Sequence, residues 1–271
     1  MFKTSMAISP TPTPFAPLLF AGDWRLGLAT AIELEFDGVE VSIRDPHDQR
    51  VKDLKDAIQT SGLVVSTVAT GQSYYTDGLS PTSADPNIQA KLLDRMKAII
   101  DFAALWKAPV IIGGVRGKLE GDPIEQKAQA SRVLESIRIY SEYAEASGVP
   151  LAIEPINRYE TNFINTISEA LEFIGQVGSE NLGVISDTFH MNIEEISLTE
   201  SLRMVGPWLK GVHFVDSNRK AAGQGHIDFH ELVTVLSEIG YQGFIIAEIL
   251  PLPDSRTAAE QAIALFRSLK R

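Results

Sequence analysis

Cysteine is absent from the 271 residues. That excludes disulfides, a thiolate nucleophile and zinc–thiolate centres. No apolar run approaches the roughly 20 residues of a membrane span, so no membrane partner is expected. Met1 to Pro14 lacks the long apolar core of a signal peptide, and a cytoplasmic location is the expectation. Basic residues are few: 24 Lys and Arg face 35 Asp and Glu, for a formal net charge of −11. A duplex binder needs a basic face to neutralise phosphates, so nucleic acid is disfavoured as a partner. A phosphate-binding glycine turn is also missing. Ile8-Ser9-Pro10-Thr11-Pro12 follows the first strand, and Gly223-Gln224-Gly225 has no Gly-Lys-Ser/Thr after it.

What is present is a strict alternation of short apolar strands and longer amphipathic helices. Strands are expected at Thr4–Ser9, Val39–Ile43, Leu63–Ala69, Pro109–Ile112, Leu151–Ile153, Leu182–Ser186, Leu209–Phe214 and Gly243–Ala247. Helical spacing runs through Trp24–Glu35, Asp48–Ser61, Asn87–Trp106, Ile124–Ser147, Thr166–Val177, Glu194–Met204, Phe229–Ile239 and Asp254–Leu269. Such long crossovers imply parallel strands. The count and length fit a single (β/α)8 TIM barrel over residues 1–271, and no linker or low-complexity tract divides the chain. The polar stretch Thr70–Pro86 is long for a compact domain and reads as a lid, with Tyr74 and Tyr75 packed in it.

In a barrel of this kind the chemistry sits at the C-terminal ends of the strands. The run Leu151-Ala152-Ile153-Glu154-Pro155 hands a carboxylate to that end, and the following loop carries Glu160. The next three strands end in Asp187, His213 and Glu248. Three carboxylates and an imidazole thus converge on one mouth. Burying them together without a cation would be costly or would force protonation. A donor set of three oxygens and one nitrogen fits a divalent ion: Mn2+ first, with Mg2+, Co2+ and Zn2+ as alternatives. His190 follows Asp187 closely and reads either as a cap or core histidine, or as a group in reach of a bound substrate. Arg219 is either a solvated loop arginine or a ligand for a substrate oxygen. His226 and Asp228 either support the site or close their loop, and His47 and His230 read as surface residues.

The runs Ile153-Glu154-Pro155-Ile156-Asn157-Arg158, Ser186-Asp187-Thr188-Phe189-His190-Met191-Asn192, His213-Phe214-Val215-Asp216-Ser217-Asn218-Arg219 and Gly223-Gln224-Gly225-His226-Ile227-Asp228 carry a resemblance. They resemble the D-tagatose/D-psicose 3-epimerases, a family of xylose-isomerase-like barrels. The likeness is dense from the fifth strand onward and loose before it. It implies a metal held by Glu154, Asp187, His213 and Glu248, with Glu160, His190 and Arg219 on a small-molecule sugar. It implies inversion at C3 of a ketose through a cis-enediolate, with Glu154 and Glu248 as acid and base on opposite faces. It also implies a homodimer or homotetramer.

Arg44 and Arg116, at the ends of the second and fourth strands, depart from that pattern. Two guanidinium groups at the mouth would bind a phosphate or carboxylate, making the substrate a phosphorylated or acidic ketose. The other reading pairs them with acidic loop residues such as Asp45. Aldose–ketose isomerisation and inosose dehydration remain open in the same barrel. An abasic-site endonuclease would need histidines where Ala69 and Gly113 stand, and a non-catalytic sugar-binding protein would not need four metal ligands.

Overall fold

Most of the apolar strands are followed by a polar turn whose Asp, Ser or Thr caps a helix, and this punctuation sets the rhythm of the chain. Asp48, Asp85, Asp122, Asp228 and Asp254 each accept a backbone N–H of the helix they precede. Thr166 and Glu169 form a reciprocal capping box. Caps of this type contribute about 1 kcal/mol each. In the computed structural model residues 2–13 and 17–270 are described; Met1 and Pro14, the ends of the amino-terminal segment read above, lie outside the described residues.

Among the described residues the strands are β1 (Lys3–Ile8), β2 (Gly38–Ser42), β3 (Val64–Ala69), β4 (Val110–Ile112), β5 (Leu151–Ile153), β6 (Leu182–Asp187), β7 (Leu209–His213) and β8 (Phe244–Ala247). They are parallel neighbours in chain order and close into a barrel, with β8 returning to β1 from Lys3↔Phe244 to Met6↔Ala247. The helices are α1 (Trp24–Glu33), α2 (Gln49–Ser61), α3 (Gln72–Tyr75), α4 (Pro86–Ala104), α5 (Pro123–Ala146), α6 (Ile167–Val177), α7 (Thr188–Glu194), α8 (Leu198–Val205), α9 (Phe229–Glu238) and α10 (Ser255–Leu269). The expected (β/α)8 barrel is therefore present.

Two expectations change. The helix expected at Glu194–Met204 starts later, as α8, and a further helix, α7, precedes it. Asp187 starts a helix at once, because its Oδ1 accepts from the backbone of Phe189 and His190. Glu195 is then extended, and Ser197 caps a new helix by accepting from Glu200. The stretch Thr70–Pro86 likewise contains the short α3.

Side chains alternate along each strand with period two. Ala69, Ile111, Ala152 and Ile185 form a small cluster of their own inside the barrel. The residues two further on from Ile111, Ala152 and Ile185 are Gly113, Glu154 and Asp187. On β7, His213 follows Gly211 by the same step, and beyond β8 Glu248 follows Ile246. A layer of small and aliphatic side chains thus lies beneath the polar layer at the C-terminal mouth. The larger aliphatic core, with residues such as Leu54, Leu92, Ile137, Ile174, Leu202 and Phe266, fills the space between strands and helices.

Candidate active site

The register of the sheet brings the four strand-end residues together. Asp187 and His213 are direct partners across β6 and β7, and His213 pairs with Ile246 across β7 and β8. His213 Nδ1 lies 3.1 Å from Glu154 Oε1, 3.4 Å from Asp187 Oδ2 and 3.5 Å from Glu248 Oε2. One ligand atom from each residue falls within 4.8 Å of all the others. Asp187 serves two purposes: Oδ1 caps α7, which leaves Oδ2 facing the imidazole.

The electrostatics of this cluster are unbalanced without a cation. Burial pushes the Glu248 carboxyl up to about 8; His213 opposes this, and Glu154 and Glu40 reinforce it. Burial disfavours charge on His213, but Glu40, Glu248, Asp187 and Glu154 outweigh it and hold the imidazole well above the ordinary histidine range. Burial also disfavours ionisation of Asp187, yet His190, His213 and Arg219 win and keep its carboxyl low. Two buried atoms, Glu154 Oε1 and His213 Nδ1, have no hydrogen-bond partner among the described residues. Orphaned donors of this kind, in an O3N set without sulfur, fit a divalent ion.

The cluster opens into a cavity of about 520 Å3 whose lining includes Glu154, Glu248, Glu160, His190 and Arg219. These side chains are linked. Glu160 Oε1 accepts from Arg219 Nη1 at 2.7 Å and from Asn157 Nδ2 at 3.0 Å. Asn157 Nδ2 is also 2.7 Å from His190 Nδ1, while Asn157 Oδ1 accepts from the Tyr159 backbone. With the amide so oriented, His190 Nδ1 is the acceptor and its ring proton sits on Nε2. Arg219 lies over the Phe189 ring, 4.9 Å from its centroid, which fixes the plane of the guanidinium. A second cavity of about 610 Å3, beside Phe20, Leu250 and Arg256, lacks the carboxylate–imidazole cluster.

The structure does not bring Arg44 and Arg116 to this cavity. Arg44 donates to Asp77 at 2.7 Å, and Asp77 also takes Arg95. That three-residue ion pair anchors the segment after α3 to β2 and α4. Arg116 is fully buried and donates to the carbonyls of Gly113, Glu154, Phe163 and Ile164. Its charge is committed to the backbone. The acidic-partner reading was right in kind for Arg44, with Asp77 in place of Asp45. Asp216 is fully buried and gathers the loop after β7, accepting from Ser217, Gly223 and Ile227 backbone N–H groups. His226 bonds Ser217 and Asp228 caps α9, so both close their loop. His47 and His230 are exposed. Tyr75 lines the cavity.

One buried acid went unread in the sequence. Glu40, in β2, is wholly buried and lies 3.0 Å from His213 Nε2. A signal existed, since a lone carboxylate between Val39 and Val41 interrupts a strand expected to be apolar on both faces.

The glycines after β4 are set by contact. A Cβ at Gly113 would overlap Glu154 Oε2, and one at Gly114 would overlap the Tyr75 ring. Gly113→Ala is expected to displace Glu154 and weaken any divalent ion held by this cluster by about tenfold or more, as loss of ligand support typically does, with the barrel still folded. Calorimetric titration with Mn2+ checks this, and wild-type affinity in the variant would contradict it.

The model of the xylose isomerase-like TIM barrel family matches residues 28–269. A D-psicose 3-epimerase of Ruminiclostridium cellulolyticum is 33% identical over 238 residues, covering 83% of this chain and 78% of that protein. An L-ribulose 3-epimerase of Methylomonas sp. is 33% identical over 239 residues, covering 85% and 82% respectively. The crystal structure of a D-allulose 3-epimerase from Methylomonas sp. superposes with a TM-score of 0.80 at 25% identity, covering 99% of each chain.

Proposed function

Because the chain belongs to the xylose isomerase-like TIM barrel family, among relatives named ketose 3-epimerases, we propose that it inverts C3 of a ketose. The observation that carries this reading is the meeting of two glutamates, an aspartate and a histidine at the ends of β5, β6, β7 and β8, with Glu154 and Glu248 opening onto the cavity. Glu154, Asp187, His213 and Glu248 would hold a divalent ion, Mn2+ first. When bound, such an ion supplies Lewis acidity toward the ketose carbonyl and its neighbouring hydroxyl.

Glu154 and Glu248 are the proton carriers. They enter the cluster from strands separated by β6 and β7, so they reach a bound sugar from different sides. One takes the C3 proton, which leaves a cis-enediolate across C2 and C3. The other returns a proton to the opposite face, and the roles exchange in the reverse direction. A pair of carboxyl groups suits this exchange, since each direction needs one ionised and one protonated. His190, with its proton on Nε2, and the Arg219–Glu160 pair would bind and orient the sugar hydroxyls.

The substrate reading follows from where the arginines went. With Arg44 and Arg116 engaged elsewhere, the lining cations are Lys118 and Arg219, and Arg219 is paired with Glu160. Three lining carboxylates, Glu154, Glu160 and Glu248, outnumber them. Glu154 and Glu248 would be matched by the ion and Glu160 is matched by Arg219, so what decides is that neither arginine read as a phosphate or carboxylate site reaches the cavity, and this favours a neutral ketose. The test is a panel of free ketoses, ketose phosphates and ketouronates with added Mn2+, with products identified by NMR. Free ketoses should give the C3 epimer with the highest kcat/KM. A tenfold preference for a phosphate or uronate would overturn the substrate class, and an aldose product would assign the chemistry to C1 and C2.

A further inference from the structure

Glu40 and His213 stand on β2 and β7, which are not neighbours in the sheet, so their contact crosses the barrel interior. Glu40 Oε2 lies 3.0 Å from His213 Nε2 and accepts a hydrogen bond from Thr67 Oγ1 at 2.5 Å. Both Glu40 and His213 are wholly buried. The other carboxylate oxygen, Oε1, has no hydrogen-bond partner among the described residues. Burying a carboxylate so incompletely satisfied is costly. An aliphatic side chain beside Val39 and Val41 would carry no such cost, so the contact with His213 is what the glutamate contributes.

Glu40 Oε2 already accepts the Thr67 hydroxyl, so it is the acceptor toward His213 as well and the proton between these groups lies on His213 Nε2. Nδ1 is then the nitrogen turned toward Glu154, Asp187 and Glu248, and the one whose proton an arriving ion would displace. Thr67 holds Glu40 from the adjacent β3, so the orientation of the imidazole is anchored on β2 and β3 while its ligand atom faces β5, β6 and β8. We infer that Glu40 is a positioning residue for the metal centre, setting the tautomer and orientation of His213 and raising its strength as a nitrogen donor. The inference rests on the reading of the four strand-end residues as metal ligands. Carboxylate–histidine–metal relays of this kind typically change metal affinity by 10–100-fold when the carboxylate is lost.

The test measures Mn2+ affinity of the full chain by chelator competition, alongside thermal melts of the metal-free protein. Glu40→Leu should weaken Mn2+ binding by about 10–100-fold. Glu40→Gln should lose less, because its carbonyl still accepts from Nε2–H, and it carries the test if the leucine variant does not fold. Thr67→Val should weaken binding a few-fold by loosening Glu40. In a His213→Gln background the Glu40 substitutions should have no further effect on affinity, since their route to the metal is gone. If His213→Gln weakens Mn2+ binding but the Glu40 variants bind as wild type, or shift only the metal-free melt, the positioning role is overturned. If His213→Gln itself leaves Mn2+ affinity unchanged, the metal-centre reading fails instead.

Discussion

Glu248→Gln is expected to lower kcat for C3 inversion by about 10²–10⁴-fold, the usual contribution of a positioned acid–base group. Glu154→Gln should lose a similar factor, because each direction of the reaction needs one ionised and one protonated carboxyl. The Glu248 substitution has a second readout that does not depend on turnover. In the metal-free protein burial raises its carboxyl from the ordinary 4.5 to about 8. Between those values the folded protein keeps a proton that the unfolded chain releases. Stability therefore falls as pH rises through this window, by at most about 1.4 kcal/mol per pH unit. His213 acts in the same sense. Its folded value is raised, so its contribution is complete below the unfolded histidine range and is lost as pH rises through the folded value. Asp187, held low, acts at the other end: its stabilisation is present at neutral pH and lost in acid. Melts in chelator from pH 5 to 9 should slope downward in the wild type and less steeply in Glu248→Gln. Identical slopes would contradict the buried, proton-holding state of Glu248.

Arg116→Met is expected to cost stability on the order of 3–5 kcal/mol, the range for breaking a buried charged network. That is a large part of the roughly 5–15 kcal/mol of a typical domain. The guanidinium donates to Gly113 O at 2.8 Å, Glu154 O at 2.7 Å, Phe163 O at 2.9 Å and Ile164 O at 2.8 Å. Methionine fills the volume but leaves four carbonyls without that donor. Burial draws the guanidinium down to about 10, with Glu154 and Tyr75 opposing, so the group stays charged at neutral pH. Arg116 grips the carbonyl of Glu154 itself, so the loss of this clamp reaches the site through the backbone. Urea unfolding measures the effect. An unchanged midpoint, together with selective loss of a phosphorylated substrate, would restore Arg116 to the cavity.

Arg116 also marks the limit of what the sequence makes legible. Glu154, Asp187, His213 and Glu248 can be found because each is the polar residue that closes an apolar strand, and strand ends share one face of a barrel. Short, stiff placements of that kind follow from period-two alternation alone. An arginine at a strand end is different. Its direction depends on which acceptors come near, and for Arg116 these are carbonyls of the β5–α6 connection, while for Arg44 the acceptor is Asp77 after α3. Neither is visible from local pattern. Glu40 escaped for a related reason, since its partner lies across the barrel. The unexpected α7, ahead of the α8 that stands within the helix expected at Glu194–Met204, turned on Asp187 acting as a cap as well as a strand end, which period counting does not register. Helices that begin with a separate Asp or Thr after the strand, such as α2, α5 and α6, fall close to where spacing put them.

If Glu154 and Glu248 carry the proton, they exchange the C3 hydrogen of a ketose with solvent through their carboxyl groups. The most direct measurement incubates the Mn2+-loaded protein with a free ketose in heavy water and locates deuterium by NMR. The expected product is a C3 epimer carrying deuterium at C3 and none at C1, with both inversion and exchange lost in Glu154→Gln and Glu248→Gln. An inverted product holding only protium at C3, or deuterium introduced at C1 or C2 with an aldose formed, would contradict it.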